Sequence, residues 1–145
     1  MKIKSYLAVV TMLCVSSLGA WADHPSYLHG LSDLRLARAY LESGYVGDRA
    51  QDAIDQIDRA IGDIKQASID DGKNLNDHPP IDTGLGGDRF RRALELLDSA
   101  HNDIAQEEDN GWANHLRHRA LADIDAAHHK VREIWQHHEW WENHL

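Results

Sequence analysis

The stretch Ala120-Leu121-Ala122-Asp123-Ile124-Asp125-Ala126-Ala127-His128-His129-Lys130-Val131 decides the fold class, because it is the third copy of one unit. The earlier copies are residues 53–64, Ala-Ile-Asp-Gln-Ile-Asp-Arg-Ala-Ile-Gly-Asp-Ile, and residues 93–104, Ala-Leu-Glu-Leu-Leu-Asp-Ser-Ala-His-Asn-Asp-Ile. Each runs from Ala and Ile or Leu, through Ile or Leu, Asp and Ala, to a closing Ile or Val. Apolar residues recur at steps of three and four, the signature of a helix with one buried face. The frequent alanines favour close approach between such helices.

Working outward, each unit sits inside a longer helical stripe. Ala50, Ala53, Ile54, Ile57, Ala60, Ile61, Ile64 and Ala67 give helix two, opened by Asp48 and stopped by Asp70-Asp71-Gly72. Phe90, Ala93, Leu94, Leu97, Ala100 and Ile104 give helix three, capped by Asp88. Ala113, Leu116, Ala120, Ile124, Ala127, Val131 and Ile134 give helix four, which follows the turn Asp109-Asn110-Gly111 and extends to Trp141. Upstream, Pro25 suits a helix start. Tyr27, Leu28, Leu31, Leu34, Ala37 and Leu41 then form helix one, which ends near Ser43-Gly44. Four amphipathic helices bury their stripes together as an all-α, antiparallel up-down four-helix bundle. Residues 70–87, with Pro79-Pro80 and glycines 84, 86 and 87, form the one long irregular connection. Connections of such length are often functional or mobile.

The N-terminus reads as an export signal. Lys2 and Lys4 precede an apolar run from Leu7 to Val15, and Ala20-Trp21-Ala22 is a small-x-small cleavage site. The run is too short to span a bilayer. Cleavage after Ala22 leaves one helical domain, residues 23–145, in the periplasm or outside the cell, with no transmembrane segment. It removes Cys14, the single cysteine, and with it thiolate metal sites and disulfides. It also leaves 13 basic residues against 24 acidic ones, a formal charge of −11. That balance disfavours nucleic acid and anionic membrane and attracts cations. All 11 histidines lie in the mature part.

Neutral imidazole suits copper, nickel and zinc. Folding the chain about 43–47 and 109–111, with helices one and four as neighbours, sets His24 level with about residue 131 and His29 with about residue 126. His128 then lies between them, and His78 sits in the connection at the same end. His24, His29, His78 and His128 are therefore the candidate metal ligands. The amine of Asp23 beside the His24 imidazole offers a further chelate for copper. The ordinary alternative is that these rings hydrogen-bond to nearby carboxylates. His101 falls near the centre of helix three's stripe and level with about residue 119, so a site joining it to His128 is not expected. His115, His118 and His129 face outward. The repeated Asp98-x-x-His101 and Asp125-x-x-His128 resemble the Glu-x-x-His pairs of di-iron bundles. The shorter side chains, the outward direction of Asp125 and the mismatched levels count against a shared centre.

At ~45 Å, helix four exceeds the ~30 Å of helix three. Its overhang, Arg132 to Leu145, carries Trp135, Trp140, Trp141, His137, His138 and His144, at the end where helix one begins. Those tryptophans either cover the long connection or form a surface for a partner. Glycine-rich phosphate loops, nucleophile arrangements and acid–base signatures are lacking, so an enzyme is not expected.

Three stretches resemble an uncharacterised family of secreted bacterial helical-bundle proteins. These are His24-Pro25-Ser26-Tyr27-Leu28-His29 through Asp33-Leu34-Arg35, then residues 64–73 with Asp77-His78-Pro79-Pro80, then Glu107-Glu108-Asp109-Asn110. More loosely, the Ala- and His-containing repeat is similar to the His-rich periplasmic small metal-binding proteins, although helix two has no histidine. That likeness implies uptake of a divalent transition metal. The expected function is a non-enzymatic exported protein binding copper, nickel or zinc through histidines. The alternative is an interaction module of the cell envelope that uses the C-terminal helix and the 70–87 connection.

Overall fold

Four helices form where the apolar periodicity places them: α1 Ser26–Glu42, α2 Asp48–Asp70, α3 Arg89–Gln106 and α4 Asn114–Glu142. They come from a computed structural model that describes residues 26–43, 48–70, 72, 75, 88–107 and 111–142. The expected export segment, residues 1–22, together with His24, His78 and most of the 70–87 connection, lies outside the described residues. The ends follow local chemistry. The Asp88 carboxylate accepts from the backbone N–H of Phe90 at 3.0 Å and of Arg91 at 3.3 Å, closing the start of α3. Gly72, at φ 72°, donates its N–H to the Ile69 carbonyl at 2.9 Å, the left-handed stop that glycine provides.

Every stripe residue from Tyr27 to Val131 named above is buried, and Ile134 and Trp135 pack partly against the same core. Two hydroxyls buried with them, Ser32 and Ser68, donate to the carbonyls of Leu28 and Ile64 one turn back, so neither is an unmet polar group. None of the described helices is long and apolar enough to cross a membrane.

Every neighbouring pair is antiparallel, but the order around the bundle is α1, α2, α4, α3 rather than the chain order. Among the described residues, α1 packs on α2 and α3, α4 packs on α2 and α3, and α1 and α4 lie on a diagonal without close approach. The registers fix this. Along α1·α3, Gly30 sits against Ile104, Asp33 beside Ser99 and Asp103, and Tyr40 beside Arg92. Along α2·α4, Asp52 pairs with Lys130, Arg59 with Asp123 and Asp63 with Arg119, so each step down α2 is matched by an equal step up α4.

The cause lies in small residues at seven-residue intervals. Ala53, Ala60 and Ala67 on α2 come within a turn of Ala127, Ala120 and Ala113 on α4, all fully buried. Gly30 and Ala37 on α1 likewise meet Ala100 and Ala93 on α3. Seven residues are close to two turns, so each set forms one edge on which two helices approach closely. Along these edges α1 closes on α3 and α2 on α4.

Two expectations change as a result. Because α2 and α3 both run antiparallel to α1, Asp70 and Arg89 lie at opposite ends of the bundle. The connection between them is long because it joins those ends, about 27 Å apart for an 18-residue α3. And because α4 runs parallel to α1, its C-terminal end lies where α1 finishes, not where α1 begins. Less of it overhangs than expected: Trp135 packs on the core and His138 reaches Phe90, with ring centroids 6.1 Å apart.

Candidate functional site

The α3·α4 face carries a reciprocal arrangement that grows directly from the repeat. Each helix bears Asp-x-x-His, and residues three apart lie on one side of a helix. Set antiparallel, the two motifs cross-match. Asp125 Oδ1 of α4 lies 2.9 Å from His101 Nδ1 of α3, and Asp98 Oδ1 of α3 lies 3.2 Å from His128 Nε2 of α4. Two imidazole–carboxylate rungs thus bridge the helices, about one turn apart.

The sequence-based levels placed these motifs out of register, because they folded the chain tightly about 109–111. Arg117 Nη1 donates to the Glu107 carbonyl and Arg117 Nη2 to Asn114 Oδ1 at 3.0 Å, so the end of α3 is level with the second turn of α4. A slip of nearly two turns of helix brings His101 opposite Asp125 instead of opposite residue 119. His101 also leaves the stripe centre: its side chain is 37% exposed, in contrast to the 15% of His128. Both aspartates are well exposed, as expected for Asp125.

The two rungs differ in their neighbours. An Arg132 nitrogen lies 3.4 Å from both Nδ1 and Nε2 of His128. His128 thus has the Asp98 carboxylate and the Arg132 guanidinium as its charged neighbours.

Of the candidate ligands, His24 and His78 lie outside the described residues. His29 and His128 are not brought together, since α1 and α4 are diagonal. His29 instead lies exposed on α1, facing α3 near Asp33 and Asp103. Burial pushes the Asp33 carboxyl above its ordinary value; Ser99, hydrogen-bonded to it, and His29 pull it back, while Asp103 adds to the rise. Burial likewise raises Asp103, and His29 again opposes. His115, His118 and His129 face outward as expected, with His129 Nδ1 3.8 Å from Glu133 one turn on. Among the described residues, no three His, Cys, Asp or Glu side chains converge as a ligand set.

A second charged face lies between α2 and α4. There Arg59-x-x-x-Asp63 opposes Arg119-x-x-x-Asp123 in another reciprocal match, lining an open depression of about 390 Å³. Each guanidinium there is taken up by the aspartate opposite. On α1·α2, Arg38 joins Asp58 and Glu42, each at 2.7 Å.

What the arrangement can do chemically is limited and definite. Each rung offers one nitrogen and one oxygen donor. In comparison with known proteins, no protein-family model, no curated protein and no solved structure matches this chain.

Proposed function

We propose that this is a non-enzymatic exported protein that takes up a divalent transition metal, copper, nickel or zinc, through imidazole–carboxylate pairs. The observation that carries the reading is the pair of Asp–His rungs between α3 and α4. Their N···O separations of 2.9 and 3.2 Å fall in the range of neighbouring donors on one ion. Two ligands ~2.0–2.2 Å from a metal, at right or tetrahedral angles, are ~2.8–3.6 Å apart. The surplus of acidic residues supports the reading by concentrating cations at the surface. So does the looser likeness of the repeat to small metal-binding proteins. Export follows from Lys2, Lys4, the Leu7–Val15 run and Ala20-Trp21-Ala22. The likeness to the secreted helical-bundle family rests on the residues quoted above.

Calorimetric titration of the chain with copper, nickel and zinc tests this. Saturable uptake of one or more of the three, reversed by a chelator, is the expected result. Absence of uptake by all three ends the metal reading.

One observation favours the envelope-interaction reading. Trp140 is 51% exposed near the end of α4, beyond the Phe90–His138 contact. Trp140→Ala leaves the core intact, whereas truncation after Lys130 would remove the buried Val131. Retention of envelope partners by Trp140→Ala would end that reading.

A further inference from the structure

The α2·α4 face alternates in charge along its length. On α2 the order is Asp52, Arg59, Asp63; the residues opposite on α4 are Lys130, Asp123 and Arg119, each paired across the groove. Turning a copy of this face by half a rotation about an axis parallel to the helices sets α2 of one copy over α4 of the other. Each of these charges then meets its opposite in the second copy. Such self-matching is what a two-fold contact between identical chains needs. Gly62 lies exposed on the same face of α2, inside a helix, where glycine is weaker than alanine. An added Cβ there would meet nothing within 4 Å, so packing within the chain gives no reason for the missing side chain. With the exposed Ala122 across the groove, it leaves room for another backbone to approach, next to the open depression of about 390 Å³. Ile69, two turns beyond Gly62 and on the same side of α2, is 54% exposed, and Trp112 is 80% exposed. Continuing the register of Asp63 and Arg119 to the end of α2 brings Ile69 level with Ala113, beside Trp112. The half rotation that matches the charges therefore also lays Ile69 of each copy against Trp112 of the other.

We infer that two copies of this chain dock through the α2·α4 face, related by a two-fold axis parallel to the helices. Ile69 and Trp112 supply the apolar contact, while Arg59, Asp63, Arg119 and Asp123 fix the register. Since α2 has 23 residues and is ~34 Å long, and two helices side by side are ~20 Å wide, each copy covers ~700 Å². That is close to the ~800 Å² per partner of a specific interface.

Sedimentation velocity of the full chain over a range of concentrations tests this, and a reversible dimer is expected. Gly62→Gln fills the gap without touching the chain's own packing. It should weaken the dimer by about tenfold or more while the helical circular dichroism of the monomer is kept. Trp112→Ala, at an exposed position, should weaken it by a similar factor. The exchange of Arg59→Asp with Asp123→Arg keeps the pair within each copy and the match to an identical copy, but sets like charges against the wild type. That double variant is expected to dimerise with itself and not with a tagged wild-type chain. A wild type that stays monomeric up to ~1 mM overturns the inference and leaves the face to a different partner. A dimer that Gly62→Gln and Trp112→Ala both leave at full strength overturns it as well, since the copies then meet elsewhere. Free mixing of the exchanged variant with the wild type overturns the two-fold arrangement.

Discussion

Replacing Gly30 with alanine sets two known effects against each other at the closest approach of α1 to α3. A methyl group at Gly30 would stand 2.7 Å from Ile104 Cγ1, 3.0 Å from Ile104 Cδ1 and 3.4 Å from the Ala100 carbonyl oxygen. Carbon atoms in good contact are ~3.5–4.0 Å apart, so the first contact is short by nearly 1 Å. Ile104 is fully buried and has no solvent to move into. Overpacking of this kind costs ~1–3 kcal/mol. Against it, alanine is the better helix former by ~1 kcal/mol. The net expectation is a loss of ~1 kcal/mol for Gly30→Ala in the wild-type chain. In an Ile104→Ala background both short carbon contacts vanish, so the same change should become a gain of up to ~1 kcal/mol. Urea unfolding followed by helical circular dichroism on the four members of the cycle measures the difference, expected to be ~2 kcal/mol. A Gly30→Ala effect of the same sign and size in both backgrounds would refute the close approach, and with it the small-residue edge that pairs α1 with α3.

Asp88→Ala removes the carboxylate that holds two N–H groups at the start of α3, and should cost ~1 kcal/mol by the same unfolding assay. Gly72→Ala places a side chain at φ 72° and should lower stability by ~1 kcal/mol, with Gly72→Asn tolerated better than alanine. Burial raises the folded-state pKa values of the half-buried Asp33 and Asp103 above the ordinary aspartate value of 3.8. Folding therefore favours their protonated forms, and the stability they contribute is full below that value and lost as pH rises through the raised one. Asp33→Asn should accordingly raise the melting temperature at pH 7, with the advantage disappearing in acid near pH 3. A variant equally stabilised at both pH values would contradict the assignment. Lys130→Ala breaks an exposed pair with Asp52 and should change stability by less than ~1 kcal/mol, which a melting curve checks.

The helices and their buried faces were legible in the chain because period and composition are local properties. The stripe of α3, from Phe90 to Ile104, is buried residue for residue, and Asp88 and Gly72 act at the helix ends as their chemistry dictates. The repeat also contained the candidate site in plain form, as Asp98-x-x-His101 and Asp125-x-x-His128. Pairing them required a level for each helix, and a level inferred by folding the chain at Asp109-Asn110-Gly111 was nearly two turns off. Arg117 reaching back to the Glu107 carbonyl marks the offset between the end of α3 and the first turns of α4.

The amino-acid order by itself determined that there would be four one-sided helices, where they begin and end, and which residues they hide. It did not determine which helices would be neighbours, since α1 and α4 present stripes as suitable for each other as for the partners they have. That choice belongs to the tertiary structure. Small side chains seven residues apart let α1 close on α3 and α2 on α4, and surface complementarity over whole helices is decided only when all four are packed. His29 and His128 were parted by that choice, and His101 and Asp125 were joined by it.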